Sequence, residues 1–213
     1  MTRKDLLKRY RAYRQICTAL QTAALGHVSA EGLQTVFRQL GLLDGKVLVT
    51  DHEEDLVLGF DLALYTARPG RSRAIDRFAR MHADTSADAS KMLQALCGSF
   101  FSIFKFTRYH DVAGLILEDT LRGGEVWLMD EGLEATAVLG TLVAMRLAQP
   151  DDFAISCGVV ILINADRLDD LADHLARAAL PAEPARLADD QRLPRIIYKM
   201  ALSTGLTEHV SYL

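Results

Sequence analysis

At residue 99 the apolar residues change period, and that change constrains the fold more than any single motif. Up to Gly98 they recur three or four apart, the spacing of one face of a helix. Beyond it come SFFSIFKFT, AGLILEDTL, EVWLMD, GTLVAMRLA and FAISCGVVILI, short runs rich in aromatic and β-branched residues and separated by turn signals. RGGE and QPDD mark the clearest turns. Five such strands close most easily into a small antiparallel barrel or a strongly bent sheet. The expected class is α+β, with a helical region at 1–98, a five-stranded antiparallel barrel-like module at 99–163 and C-terminal helices at 164–213 packing back, all within reach of one compact domain.

The helical half can be read turn by turn. Leu6, Tyr10, Tyr13, Cys17, Leu20 and Ala24 form one apolar stripe on a helix over about 3–25, ended by Gly26. Ser29 caps a second helix, AEGLQTVFRQL, stopped by Gly41. The run LVLGFDLALY is apolar nearly all round, as in a helix buried on several sides. Asp61 lies inside it. A pairing with Arg68, Arg71 or Arg73, or a wetted edge, would explain that acid; otherwise it is a buried carboxylate with a functional role. A helix through Ile75, Phe78 and Met81 follows a loop at ARPGRSR, and Thr85 or Ser86 begins another that stops at Gly98. Asn164 caps ADRLDDLADHLARAAL, and after a polar connector RIIYKMALSTGLTEHV closes the chain.

TDHEED at 50–55 has the look of a metal site, but its spacing favours a helix entry. Thr50 and Asp51 are both good N-caps, and each has a Glu three positions on, the spacing of a capping box. His52 and Asp55 alone would supply only two ligands. No nucleophile, phosphate-loop or dinucleotide fingerprint occurs, and GRSR at 70–73 shares with a phosphate loop only its Gly and Arg. No metal or cofactor is expected. Asp119 is a second acid in apolar company. With a two-residue loop at Gly123-Gly124 it would stand opposite Leu128; with a longer loop it would accept turn amides. Cys17, Cys97 and Cys157, odd in number and far apart, read as reduced thiols of a cytoplasmic protein. No apolar run is long enough to cross a bilayer, and polar breaks after the basic N-terminus argue against export.

Charge separates two function classes. The total is −4, which argues against a general nucleic-acid coat. Residues 1–14, however, hold six Lys or Arg against one Asp, a surplus of +5 that leaves −9 for the rest of the chain. Lys4, Lys8, Arg11 and Arg14 would be the footprint of a nucleic-acid-binding helix. Equally, that face can dock on the acidic remainder of the chain or of a second copy.

The pattern IDRF, then FF.IF.F, GL.L.D.L.GGEVWL.D and LVAMRL…DF.IS.GVV, over about residues 75–163, resembles a class of uncharacterised bacterial helix-plus-barrel proteins that often precede a cysteine-rich SEC-C tail. The chain lacks that tail, so the resemblance implies architecture and no zinc role. With no assembled catalytic set, the expected function is a non-enzymatic interaction or regulatory protein acting through a protein partner or as a homo-oligomer. A nucleic-acid binder, or a small hydrolase or transferase using acids such as Asp61 and Asp119, would be the alternatives.

Overall fold

The computed structural model describes residues 1–50, 52, 55–67, 70–82, 86–164 and 168–204. Helix α1 (Arg3–Leu25) starts at a capping box: Thr2 Oγ1 accepts the Asp5 amide at 3.3 Å, and the Asp5 carboxylate accepts the Thr2 N–H at 3.1 Å. Its buried residues are the six of the apolar stripe. Helix α2 (Ala30–Leu40) is capped by Ser29 and ends at Gly41, whose φ of +83° suits glycine. Strands β1 (Leu43–Asp44) and β2 (Val47–Leu48) form a short hairpin the apolar pattern does not signal.

Helix α3 (Asp55–Tyr65) begins later than the TDHEED reading expects. Thr50 turns its hydroxyl to the Asp55 carboxylate at 2.7 Å and to the His52 carbonyl at 3.0 Å. Asp51, Glu53 and Glu54, and with them the capping-box pairs, lie outside the described residues, as do Arg68 and Thr85. As its composition requires, α3 is central: it packs against α1, α2, α4 (Ala74–Met81) and α9 (Leu193–Thr204). Gly59 makes the approach to α2 possible, since a Cβ there would stand 2.0 Å from the Phe37 ring. Ser86 caps α5 (Ala87–Cys97).

The five strand-like runs become a curled antiparallel half-barrel. In order across the sheet they are β5 (Glu125–Leu128), β4 (Leu115–Asp119), β3 (Phe100–Tyr109), β6 (Leu142–Ala148) and a last strand broken into β7 (Ile155–Ser156) and β8 (Ile161–Ile163). The sheet curls until Leu128 bridges Ala154 in parallel, joining its edges at one end. Alternation sorts the side chains. Phe104, Phe106, Leu117, Val143, Met145 and Leu147 fill the inside of the curl. Phe101, Ile103 and Ala144 face the helices, where they meet Leu58 and Leu62 of α3 and Ile197 of α9.

The Gly-Gly turn is longer than two residues. Leu115 stands opposite Leu128 and Glu118 opposite Glu125, so Asp119 is opposite no residue of β5. Gly123 and Gly124, at φ +75° and +87°, close a wider loop. Three short helices complete the chain: α6 (Glu131–Thr136), α7 (Leu168–Arg177) and α8 (Pro184–Asp189). Residues 165–167 and 205–213, which include the expected start of α7 and the end of the last amphipathic stretch, lie outside the described residues. No helix among the described residues is long and apolar enough to cross a membrane.

Candidate functional site

Asp61 of α3 does not sit on a wetted edge and does not pair with Arg71 or Arg73. It is 4% exposed and takes a fork from Arg146 of β6, Nε to Oδ1 at 2.9 Å and the terminal nitrogen to Oδ2 at 3.2 Å. Tyr198 of α9 donates its hydroxyl to Oδ2 at 2.9 Å. The guanidinium also lies 4.3 Å from the Tyr65 ring centroid and 5.8 Å from that of Phe101. Burial works against the Arg146 charge, but the Asp61 field and hydrogen bonds outweigh it and raise the pKa. Burial, with Asp61 adding, lifts the Tyr198 phenol well above its ordinary value. Gly158, at the break between β7 and β8, leaves room for this cluster; a Cβ there would meet Asp61 Oδ1 at 2.7 Å. Sheet, central helix and last helix are thus tied by one sealed set of charges.

Asp119 is also sealed, inside the curl. Its Oδ1 accepts the Ser102 hydroxyl at 2.6 Å and the amides of Leu121 and Arg122 at 3.0 Å each, which is the longer-loop alternative. A third buried acid escaped the sequence reading. Asp130 caps α6 through the Leu133 amide at 3.1 Å and accepts the Ser156 hydroxyl at 2.6 Å. Its signal was the Asp in LMDEGLE, with apolar residues before it and a capping distance to Leu133. These two acids meet serine hydroxyls, and neither cluster contains a histidine. Burial pushes the Cys17 thiol up to about 11 and that of Cys157 well above its usual value, so neither is an activated nucleophile. No group of three His, Cys, Asp or Glu among the described residues is arranged to hold a metal.

The basic N-terminal helix is largely spent on its own chain. Arg3 bonds Glu134 at 2.8 Å, Arg9 pairs with Asp151, and Arg11 forks onto Glu131 at 2.7 and 2.9 Å. Arg14 donates to the Ser156 carbonyl at 2.5 Å. The Arg11 hydrogen bonds hold the Glu131 pKa below its ordinary value. Of the four expected footprint residues, Lys4 and Lys8 are exposed and have no such partner among the described residues. Of the arginines in the β module, Arg146 is inside the core and Arg122 is bound to the carbonyls of Phe101 and Ala188.

Four arginines gather elsewhere, in a cleft of about 630 Å³ on the other side of α3. Its walls are the turn before α2 and one face of that helix along its length, the end of α3, the loop into α4 with its first turn, and the start of α9. Val28, Val36, Leu62, Ala63 and Ala74 supply an apolar surface, and Arg71, Arg77, Arg192 and Arg195 supply charge. Arg77 is held by the carbonyls of Ser72 and His27, and Arg192 by Asp190 at 2.7 Å. Arg71 and Arg195 make no hydrogen bond or ion pair with any described residue. Arg71 and Ser72 belong to GRSR, the stretch that resembled a phosphate loop only in composition. What sequence reasoning missed was the convergence with Arg192 and Arg195, some 120 residues further along the chain.

Comparison with known proteins finds one family: a family of unknown function (DUF7986) matches residues 4–191. No curated protein and no solved structure matches the chain.

Proposed function

We propose, for a chain that belongs to the DUF7986 family of unknown function, that it is a non-enzymatic cytoplasmic interaction or regulatory protein that works by binding. The observation that carries this reading is where its charges are spent. Asp61, Asp119 and Asp130 each hold the fold together, whereas Arg71 and Arg195, which have no hydrogen-bond or ion-pair partner among the described residues, line an open cleft. A catalytic carboxylate must reach a substrate, and these three are 4%, 3% and 1% exposed. The resemblance of residues 75–163 to proteins that often precede a SEC-C tail adds no activity.

Two measurements test it. The full chain would be incubated with chromogenic esters, phosphoesters and amides, and turnover that vanishes in Asp119→Asn while the thermal transition persists would overturn it in favour of the hydrolase. Binding to single- and double-stranded nucleic acid would be compared at two salt concentrations for the native chain and a Lys4→Glu/Lys8→Glu variant. Salt-sensitive binding lost with the charge reversal would move the assignment to nucleic acid. Deleting residues 1–14 would be uninformative, because Leu6, Tyr10 and Tyr13 are in the core.

A further inference from the structure

We propose that the arginine cleft binds a phosphate-bearing small molecule with an apolar body, an assignment that rests on the binding reading above and names its ligand. Three observations on the cleft carry it. First, Arg71 and Arg195 lie on its lining with no hydrogen-bond or ion-pair partner among the described residues, so their donors are available to a ligand. Guanidinium forks match the oxygens of phosphate or carboxylate and carry their charge at any physiological pH.

Second, the charge balance selects between those two. Of the four lining arginines, Arg192 is offset by Asp190, and Glu31 on the lining offsets one more, which leaves two formal positive charges. Carbonyl partners orient Arg77 without neutralising it. A phosphate monoester brings about −1.5 to −2 at neutral pH, where a single carboxylate brings one. The first turns of α2, α4 and α9 also line the cleft, and their positive ends add to the same field.

Third, the cleft is far larger than an inorganic anion and in the range of small-molecule sites. Leu62 and Ala63 of the buried helix α3, with Val36 facing them from α2, offer the organic part of a ligand an apolar surface. Gln39, Thr35 and Gln191 lie on the same lining as neutral hydrogen-bonding groups. The arginines would then clamp the phosphate against an organic body lying along α2 and α3.

The test is calorimetric titration of the full chain with phenyl phosphate, phenylacetate and benzyl alcohol at low salt. Saturable binding of phenyl phosphate is expected, weakened about tenfold or more in Arg71→Gln and in Arg195→Gln. A Lys4→Gln/Lys8→Gln variant should bind as the native chain does, and thermal unfolding of each variant confirms its fold. Absence of saturable phenyl phosphate binding, or binding indifferent to both arginine substitutions, overturns the proposal. So does equal affinity for phenylacetate, which would make the site one for carboxylates, or for benzyl alcohol, which would make it merely apolar. Release of inorganic phosphate from bound phenyl phosphate would instead overturn the non-enzymatic reading while leaving the site in place. Failure to bind leaves the wider interaction reading standing.

Discussion

Helix α3 has arginine on two sides, and the two sides treat it in opposite ways. On one, Arg146 is buried, forked onto Asp61 and overlaid by Tyr65. On the other, Arg71 and Arg195 border an open cleft and have no hydrogen-bond or ion-pair partner among the described residues. A buried guanidinium must be paired, because the cost of an uncompensated charge in the interior is several kcal/mol. A solvated one need not be, and it keeps its donors for a ligand. The same residue type is therefore a structural tie in one place and a recognition group in the other, and burial decides which.

The comparison breaks most visibly if one partner of the sealed pair is removed. Arg146→Met leaves Asp61 buried with only the Tyr198 hydroxyl, and Asp61→Asn leaves the guanidinium uncompensated. Each is expected to cost about 3–5 kcal/mol in urea unfolding, whereas replacing both with apolar residues should recover most of it. A double variant as unstable as the sum of the singles would show that the two residues do not act as a pair.

Gly158 sharpens the same side. A methyl group there would enter the space of Asp61 Oδ1, held by Arg146 and unable to swing away. Gly158→Ala should cost about 1–3 kcal/mol, the range for overpacking a fitted core. In an Asp61→Ala background that cost should shrink, because the clashing atom is gone. An undiminished cost would place the strain in the strand break itself.

How much of this was legible without coordinates differs between the two sides for a physical reason. Local rules placed α1 with its Gly26 stop, α2 with its Ser29 cap and Gly41 stop, and all five strand runs, because capping, glycine stops and alternation act within a few residues. They missed the short β1–β2 hairpin and the late start of α3. At Gly123-Gly124 the longer of the two loops considered is the one found, because the Asp119 side chain captures two amides of the loop and widens it. Asp61 and Arg146 were each visible as anomalies, an acid in LGFDLAL and a base in LVAMRLA. Two unmatched charges in two apolar segments are a signal when read together. Read singly, Asp61 was sought a partner nearby, and the true one is 85 residues away. The cleft gave no comparable signal, since exposed arginines are ordinary in any sequence and only the fold gathers Arg71 with Arg195.

Alkaline pH offers a smaller and graded test of the sealed side. Burial raises the Tyr198 phenol above its ordinary value of about 10, and the Cys17 thiol to about 11. In both cases the fold favours the protonated form. Their contribution is fully present below the unfolded-state pKa and is lost as pH rises toward the folded one, because the unfolded chain then binds fewer protons. Stability should fall above about pH 9 as thiols ionise and more steeply above about pH 10. Tyr198→Phe, less stable at neutral pH for want of the Asp61 hydrogen bond, should show the shallower decline. An identical slope in the variant would remove Tyr198 as the cause.

The cleft predicts the smallest change of all, and that smallness is its diagnostic. Arg195 lies in the first turn of α9, three residues before Tyr198, so the two sample the same helix under opposite conditions. Arg195→Gln removes a charge that has no hydrogen bond or ion pair among the described residues and only a minor share in the field at Asp190, so urea unfolding should stay within about 0.5 kcal/mol of the native chain. A slight gain is the more natural sign, since Arg71, Arg77 and Arg192 share the cleft and repel it. Natural proteins commonly retain such unfavourable charge where a ligand will answer it. If the variant instead unfolds several kcal/mol more easily, Arg195 is holding the fold as Arg146 does. The contrast between the two sides of α3 would then fail, and with it the reason to look for an anion in the cleft.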